Sequence, residues 1–373
     1  MSTKIYTMTH KKFNPPSDDT YIPLHVGRAC AADLGYLGDD TGDNISKLNC
    51  YYGELTGMYW MWKNLPQEGN VGVCHYRRFF LKDSTHIMSE PDFDKILSEY
   101  DIITSRAFYA EKNYREYYGD AHPVKDLDLT GEVIKKLYPQ DYPVFVEVMA
   151  QTKYYFGNLC VTSKKIFDEY CEWLFSIFFE LEKVIDLTGY DVYQTRIFGF
   201  LSEELLLVYI KARGLKCYES RIGVTEEKAE TKELKLAISQ LLKMGQLDDA
   251  VNMFYEVLKI RPDIALDNSD LKKEIPIIEQ ILFICKEEEK RGLGNTGMYS
   301  YTRELGELIE HMRKLKEILK NYHEFSKEDI AYFIKTKTSA VAVDVVASND
   351  AELSKNAGDI FQAFMKLTEN THY

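Results

Sequence analysis

Apolar side chains recur along this chain with two different spacings, and each change of spacing marks a change of element. In residues 51–62, Leu55, Met58, Tyr59 and Trp62 are separated by 3, 1 and 3 positions, which lines one face of a helix. Pro66 ends that helix, Gly69-Asn70 turns the chain, and Val71-Gly72-Val73-Cys74 is predicted to form a short buried strand. The strand runs straight into His75-Tyr76-Arg77-Arg78. Lys4-Ile5-Tyr6-Thr7-Met8 predicts a first strand, followed by the polar loop Thr9-His10-Lys11-Lys12. Residues 92–100 read as a short helix and Ile102-Ile103-Thr104 as the next strand. The tyrosine-rich residues 108–128 read as a long ordered loop with helical turns, of the kind that usually carries function. Residues 154–161 read as a strand interrupted by Gly157-Asn158. Residues 166–184 form an amphipathic helix with Phe167, Tyr170, Leu174 and Phe178 on one face. A further helix is predicted over 189–213, closed by Gly214.

Around 221–232 the chain turns hydrophilic, which marks a linker. Beyond it, residues 234–262 carry Gly245 in a turn, then Ala250, Phe254, Tyr255 and Pro262, resembling the helix-turn-helix of one tetratricopeptide-like unit. The remainder is mostly helical and charged, broken at 292–297 and at the small-residue stretch 339–348. The expected organisation is an α/β domain over 1–225 and an all-α domain over 226–373.

Charge narrows the partners. Lys+Arg 46 against Asp+Glu 59 gives a net −13 over 373 residues, which argues against nucleic acid as the main partner. Any phosphate site must then be a local basic pocket within an acidic molecule. The Tyr 27 and Phe 19 supply stacking faces that suit nucleosides and sugars, and they also fill ordinary cores. Seven cysteines are scattered without paired spacing, as in a reducing compartment. The start MSTKIYTMTH lacks an apolar signal core, and the longest apolar run, 173–179, is bounded by Glu172 and Glu180. A cytosolic protein, at most resting on a membrane, is expected.

Two adjacent guanidiniums at the carboxyl end of a strand sit where open α/β sheets place their ligand crevice. Arginine forks match phosphate oxygens two bonds at a time, so Arg77 and Arg78 point to a phosphate-bearing ligand; the alternative is a pair of surface arginines neutralised by acids. A dinucleotide fingerprint is absent. The carboxylate-rich residues 39–46 are a solvated loop, a lining of the crevice, or a source of metal-binding carboxylates from Asp39, Asp40 and Asp43. On the 189–213 helix, Arg196, Gly199 and Glu203 fall at i, i+3 and i+7, bringing a cation and a carboxylate to one face with a glycine between them. That glycine reads either as room for a ligand or as close helix packing.

The segments TMTHKKF, DDTGDNIS, YYGELTGMYWMWKN, GVCHYRRFF, DEYCEWLF and TRIFGFLSEELL together resemble a bacterial family catalogued as a domain of unknown function. That family occurs in capsular, exopolysaccharide and O-antigen gene clusters. The resemblance covers about residues 4–220 and stops short of the helical tail. It implies a GT-A-like nucleotide-sugar-binding domain with a mixed, mostly parallel sheet. It also implies a glycosyltransferase, inverting, moving a hexosyl group from a UDP-sugar to a saccharide or lipid-linked saccharide acceptor, with some members linked to galactofuranose transfer. In many GT-A enzymes the strand of the 71–74 kind leads into an acidic signature that holds a divalent metal. Here the slot holds His75-Tyr76-Arg77-Arg78, and arginines repel a dication, so fixed guanidiniums are expected to take the metal's place and no metal or other cofactor is expected.

On that reading Arg77 and Arg78, with Lys11, bind the diphosphate. Thr9, His10, Asp43 and Asn44 hold the nucleoside, and His75 belongs to the same pocket. Glu203 is the general base implied by the resemblance, with Asp191 and Asp126 in reserve. Tyr118 and His122 are acceptor or sugar contacts, His122 being equally explained as a structural loop histidine, and Arg196 orients the base or a sugar hydroxyl. The helical tail is expected to dimerise the enzyme or bring it to a membrane assembly at the inner face of the cell membrane. A sugar-phosphate transferase and a non-catalytic sugar-binding scaffold are the competing classes.

Overall fold

A computed structural model describes residues 2–66, 68–83, 86–265 and 269–371. The chain divides into two compact units, residues 1–225 and 226–373. The first is built on a sheet of β1 (Thr3–Thr9), β2 (Tyr21–His25), β3 (Leu37–Gly38), β4 (Asn70–His75), β5 (Arg78–Phe80) and β6 (Ile102–Ser105). A separate two-stranded ribbon, β7 (Phe108–Tyr109) with β8 (Lys153–Tyr154), follows; β9 (Cys160–Ser163), β10 (Cys217–Ser220) and β11 (Ile222–Val224) complete the main sheet. Its order is β10-β6-β9-β4-β1-β2-β3, with β5 and β11 paired beside β4. β9 alone runs against its neighbours along that path, so the sheet is mixed and mostly parallel.

Side chains alternate across the sheet as the two-residue period requires. Tyr6, Val73, Ile102 and Cys160 pack on the face covered by helices Leu55–Asn64, Lys164–Leu181 and Ile197–Arg213. Their neighbours Ile5, Cys74, Ile103 and Val161 face Phe79, Phe80 and Phe93, the last on helix Glu90–Leu97. Strands buried on both faces read as continuous apolar runs, which is why β1, β4 and β6 show in the sequence. Gly214 ends the Ile197–Arg213 helix in the left-handed conformation, at φ 64°.

Four boundaries differ from the sequence reading. The region 108–128 is not a loop: a capping box between Asn113 and Glu116 starts helix Tyr114–Ala121, and Pro123 starts helix Val124–Leu137. The helix expected from 189 begins only at Ile197, because Gly189 sits at φ +83° and a short 3-10 turn, Gln194–Arg196, precedes it. The hydrophilic stretch 221–232 contains β11, whose backbone pairs antiparallel with β5, Val224 opposite Arg78. Backbone pairing leaves no mark in side-chain polarity. The small-residue stretch 339–348 is helix Ala340–Asn349, packed against helices Ile275–Lys290, Leu305–Leu319 and Ala357–Thr371; small side chains let the backbones approach.

In the second unit, helices Ala229–Lys243 and Leu247–Ile260 pack as a hairpin around Gly245, and the core gathers Ile238, Phe254, Ile281, Leu308, Phe333 and Val343. Lys235 is held there by Glu227, Asp270 and Glu274 at 2.6–2.9 Å. Among the described residues no helix is long and apolar enough to cross a membrane.

Candidate active site

β4 ends at His75, the chain turns through Tyr76 and Arg77, and β5 begins at Arg78 directly opposite His75. A tight turn between paired strands puts His75 and Arg78 on one side of the ribbon. The turn is pinned on both flanks: the Tyr76 amide donates to the Met8 carbonyl at 3.0 Å and the Thr225 amide to the Arg77 carbonyl at 3.0 Å. Arg77 is buried, while Arg78 is half-buried.

Gly157 lies against this ribbon. It holds φ +84°, a conformation natural to glycine, and a methyl added there would come within 2.7 Å of an Arg78 terminal nitrogen. Asn158, also left-handed at φ 47°, donates to Glu54 at 2.9 Å and to the Ser202 hydroxyl at 2.7 Å. That bond ties the start of helix Leu55–Asn64 to helix Ile197–Arg213. Glu203, next to Ser202, lies where the Gly157 amide favours its charged form. At the open edge Arg196 is exposed, with its guanidinium beside Gly53 and Phe200.

The charges act on one another. Burial pushes the Glu203 carboxyl up to about 7, and the Glu54 carboxylate pushes the same way, while Arg78, the Gly157 amide and Arg196 pull it back. Burial works to raise Glu54 too, but His75, Arg196 and the Asn158 bond outweigh it and hold Glu54 below the usual carboxylate range. His75 is brought down to about 4, first by burial, with Glu54 opposing and Arg78, Arg77 and Arg196 assisting. His75 is therefore a neutral hydrogen-bonding ring at neutral pH. His75 Nε2, Arg78 Nε and Asn158 Oδ1 are buried without hydrogen-bond partners among the described residues, and such groups favour a ligand that satisfies them. The cluster can bind anionic oxygens through Arg78 and Arg196 and accept a proton at Glu203.

A second group borders the same turn: His10 meets the Tyr76 ring edge-on at 5.5 Å, and the Lys11 ammonium sits 4.9 Å from its centre. Thr9 spends its hydroxyl on the Lys11 carbonyl at 2.5 Å and so shapes its own loop. Asp43 and Asn44 are engaged within their own loop and with helix Leu55–Asn64. Asp43 accepts from Tyr59 at 3.1 Å and its carbonyl takes the Asn64 amide, while Asn44 bonds to Gly42 and Ser46. Asp39 is consumed structurally, accepting from the Gly27 and Arg28 amides, Ser46 and Thr56. These bonds knot the loop to helix Leu55–Asn64.

The reserve carboxylates are structural as well. Asp126 is buried and accepts from the Tyr190 hydroxyl at 2.6 Å, and burial raises its carboxyl. Asp191 caps the turn before helix Ile197–Arg213 by accepting from the Gln194 amide. His122 stacks on Phe200 at 4.1 Å and binds Gln194 at 3.0 Å, with Tyr118 buried beside it; these form the layer behind Arg196 and Phe200. At Gly199 an added methyl would meet only the Tyr52 carbonyl, at an ordinary 3.8 Å, so close packing does not demand that glycine.

Sequence reasoning missed Glu54 and Asn158. The Gly157-Asn158 interruption inside an apolar run was their one visible signal; Glu54 joins the cluster through a partner 104 residues away. Among the described residues no group of three or more His, Cys, Asp or Glu side chains is placed to hold a metal ion.

Comparison with known proteins gives two findings. The family described as a domain of unknown function, DUF4422, matches residues 4–214. A solved apo structure of the WbbM bifunctional glycosyltransferase is similar at 30% identity and a TM-score of 0.57, over 61% of this chain and 46% of that one. The chain thus corresponds to less than half the length of that bifunctional protein. No curated protein matches. The first unit has a GT-A-like α/β fold.

Proposed function

The chain belongs to the DUF4422 family, and we propose that it is a glycosyltransferase that moves a hexosyl group from a UDP-sugar to a saccharide acceptor. The observation that carries this reading is that a guanidinium and a carboxyl poised near neutrality meet at one glycine: Arg78 packs on Gly157, and the amide of that glycine favours the charged form of Glu203. Transfer needs a cation for the leaving diphosphate and a base for the attacking hydroxyl, held within reach of one sugar. The similarity to WbbM supports the same reaction class.

In the proposed step the acceptor oxygen bonds to the anomeric carbon as the bond from that carbon to the diphosphate oxygen breaks. The bonding electrons leave with the nucleoside diphosphate, and the hydroxyl proton passes to Glu203. Direct displacement inverts configuration. Arg78, backed by Arg77 and Arg196, stabilises the developing diphosphate charge, and His75 donates or accepts as a neutral ring. Lys11 and His10, held at Tyr76, are proposed to reach the nucleotide. Guanidiniums beside Glu54 and Glu203 disfavour a dication there, which supports a reaction independent of divalent metal. The acceptor is proposed to be a surface polysaccharide or its lipid-linked precursor, met at the cytoplasmic face of the membrane, and the helical unit to contact a second copy or the membrane assembly.

The test is incubation with UDP-sugars, with and without EDTA, and analysis of the nucleotide released. UDP release that persists in EDTA and falls by orders of magnitude in Glu203→Gln supports the proposal. UMP release would instead indicate sugar-phosphate transfer, and no nucleotide binding would indicate a scaffold.

A further inference from the structure

We infer that the acceptor is a hexopyranoside whose apolar C–H face lies on an aromatic wall formed by Phe108, Tyr117 and Phe156; this rests on the glycosyltransferase reading above. Phe156 immediately precedes Gly157, the glycine against which the Arg78 guanidinium packs and whose amide favours the charged form of Glu203. The Phe108 and Phe156 rings are 5.7 Å apart, and Tyr117 meets Phe156 at 5.8 Å nearly edge-on. Tyr117 is also close enough to feel the Glu203 charge. The wall therefore begins at the proposed base and leads outward to Phe108, which is 50% exposed.

Its outer end is held rigidly. Phe108 pairs with Tyr154 in the ribbon of β7 and β8, and that ribbon is anchored through Glu219. Glu219 binds Lys153 at 2.6 Å, the Tyr155 hydroxyl at 2.9 Å and the Ala107 amide at 3.1 Å. An exposed aromatic ring held by a fixed ribbon at the outer end of this wall is a preorganised platform. A pyranoside offers such a platform a flat C–H face while its rim hydroxyls stay free to meet Glu203 and Arg196, the apolar-floor, polar-rim pattern of small-molecule sites.

The experiment uses the full chain, the UDP-sugar that it hydrolyses, and methyl glycosides of galactose, glucose and mannose as acceptor probes. Phe108→Ala is expected to raise KM for the preferred glycoside about tenfold, the equivalent of ~1.4 kcal/mol, with donor hydrolysis in the absence of acceptor unchanged. Phe108→Trp should restore the affinity, which a merely structural role would not predict. The inference is overturned if both Phe108→Ala and Tyr117→Ala transfer with KM within about twofold of the parent. It is also overturned if no pyranoside accepts sugar while donor hydrolysis proceeds. Absence of donor binding and hydrolysis would remove the glycosyltransferase reading itself, and this inference with it.

Discussion

With Glu203 as the proposed base, the pH dependence of turnover is expected to follow this carboxyl. A base must be unprotonated to act, and burial together with Glu54 places this carboxyl at about 7 instead of 4.5. Between pH 8 and pH 5 the unprotonated fraction of such a group falls from roughly 90% to roughly 1%, so kcat should drop about 90-fold with unit slope. A carboxylate at its ordinary 4.5 would lose only about a quarter of its unprotonated fraction, about 1.3-fold, over the same range. Glu54→Gln removes the like charge and should move the inflection down by roughly one pH unit, since a nearby charge at a partly screened site is worth about 1.4 kcal/mol. The assay is UDP release at saturating donor from pH 4.5 to 8.5, with circular dichroism confirming that each variant stays folded. A flat profile, or an inflection unmoved in Glu54→Gln, would refute the assignment of Glu203 as the base.

The same shift makes a stability prediction. Because the folded state holds the Glu203 proton more tightly than the unfolded chain, the carboxyl costs nothing below about pH 4.5 and increasingly destabilises as pH rises through about 7. Glu203→Gln should therefore gain up to about 3 kcal/mol relative to the parent at pH 8 and little at pH 4.5, read by urea denaturation. Asp39→Ala strands two backbone amides and two hydroxyls that now share its carboxylate, and a loss of about 3 kcal/mol or more is expected by the same measurement. Gly157→Ala combines an unfavourable φ with a methyl 2.7 Å from the Arg78 guanidinium. It should raise donor KM while lowering the midpoint of thermal unfolding by several degrees, about 1–2 kcal/mol.

Elements whose side chains pack on both sides were the legible ones. β1, β4 and β6 announce themselves as apolar runs, and the turn with Arg77 and Arg78 follows from where β4 must stop. The Gly214 stop and the Glu203 face of its helix were equally visible. What stayed hidden depends on distant partners. β11 is recruited to β5 through backbone bonds alone, so its polar residues looked like linker. The helices after Asn113 and Pro123 are set by capping groups inside a tyrosine-rich stretch with weak periodicity. Asp39 and Asp43 looked like free loop carboxylates; only the fold reveals that Thr56, Tyr59 and Asn64 claim them. Glu54 drew no notice because nothing local distinguishes it from any surface glutamate.

The central claim is that fixed guanidiniums at the end of β4, and not a dissolved cation, receive the diphosphate. It is tested most directly by calorimetric titration of UDP into EDTA-treated protein and into Arg78→Ala, with Glu203→Gln as the control that leaves the cation in place. The account predicts saturable metal-free binding in the parent and in Glu203→Gln, weakened by about tenfold or more in Arg78→Ala, the loss expected for a charge-assisted contact. Binding that appears only when Mn²⁺ or Mg²⁺ is added, or equal affinity in Arg78→Ala, would contradict it.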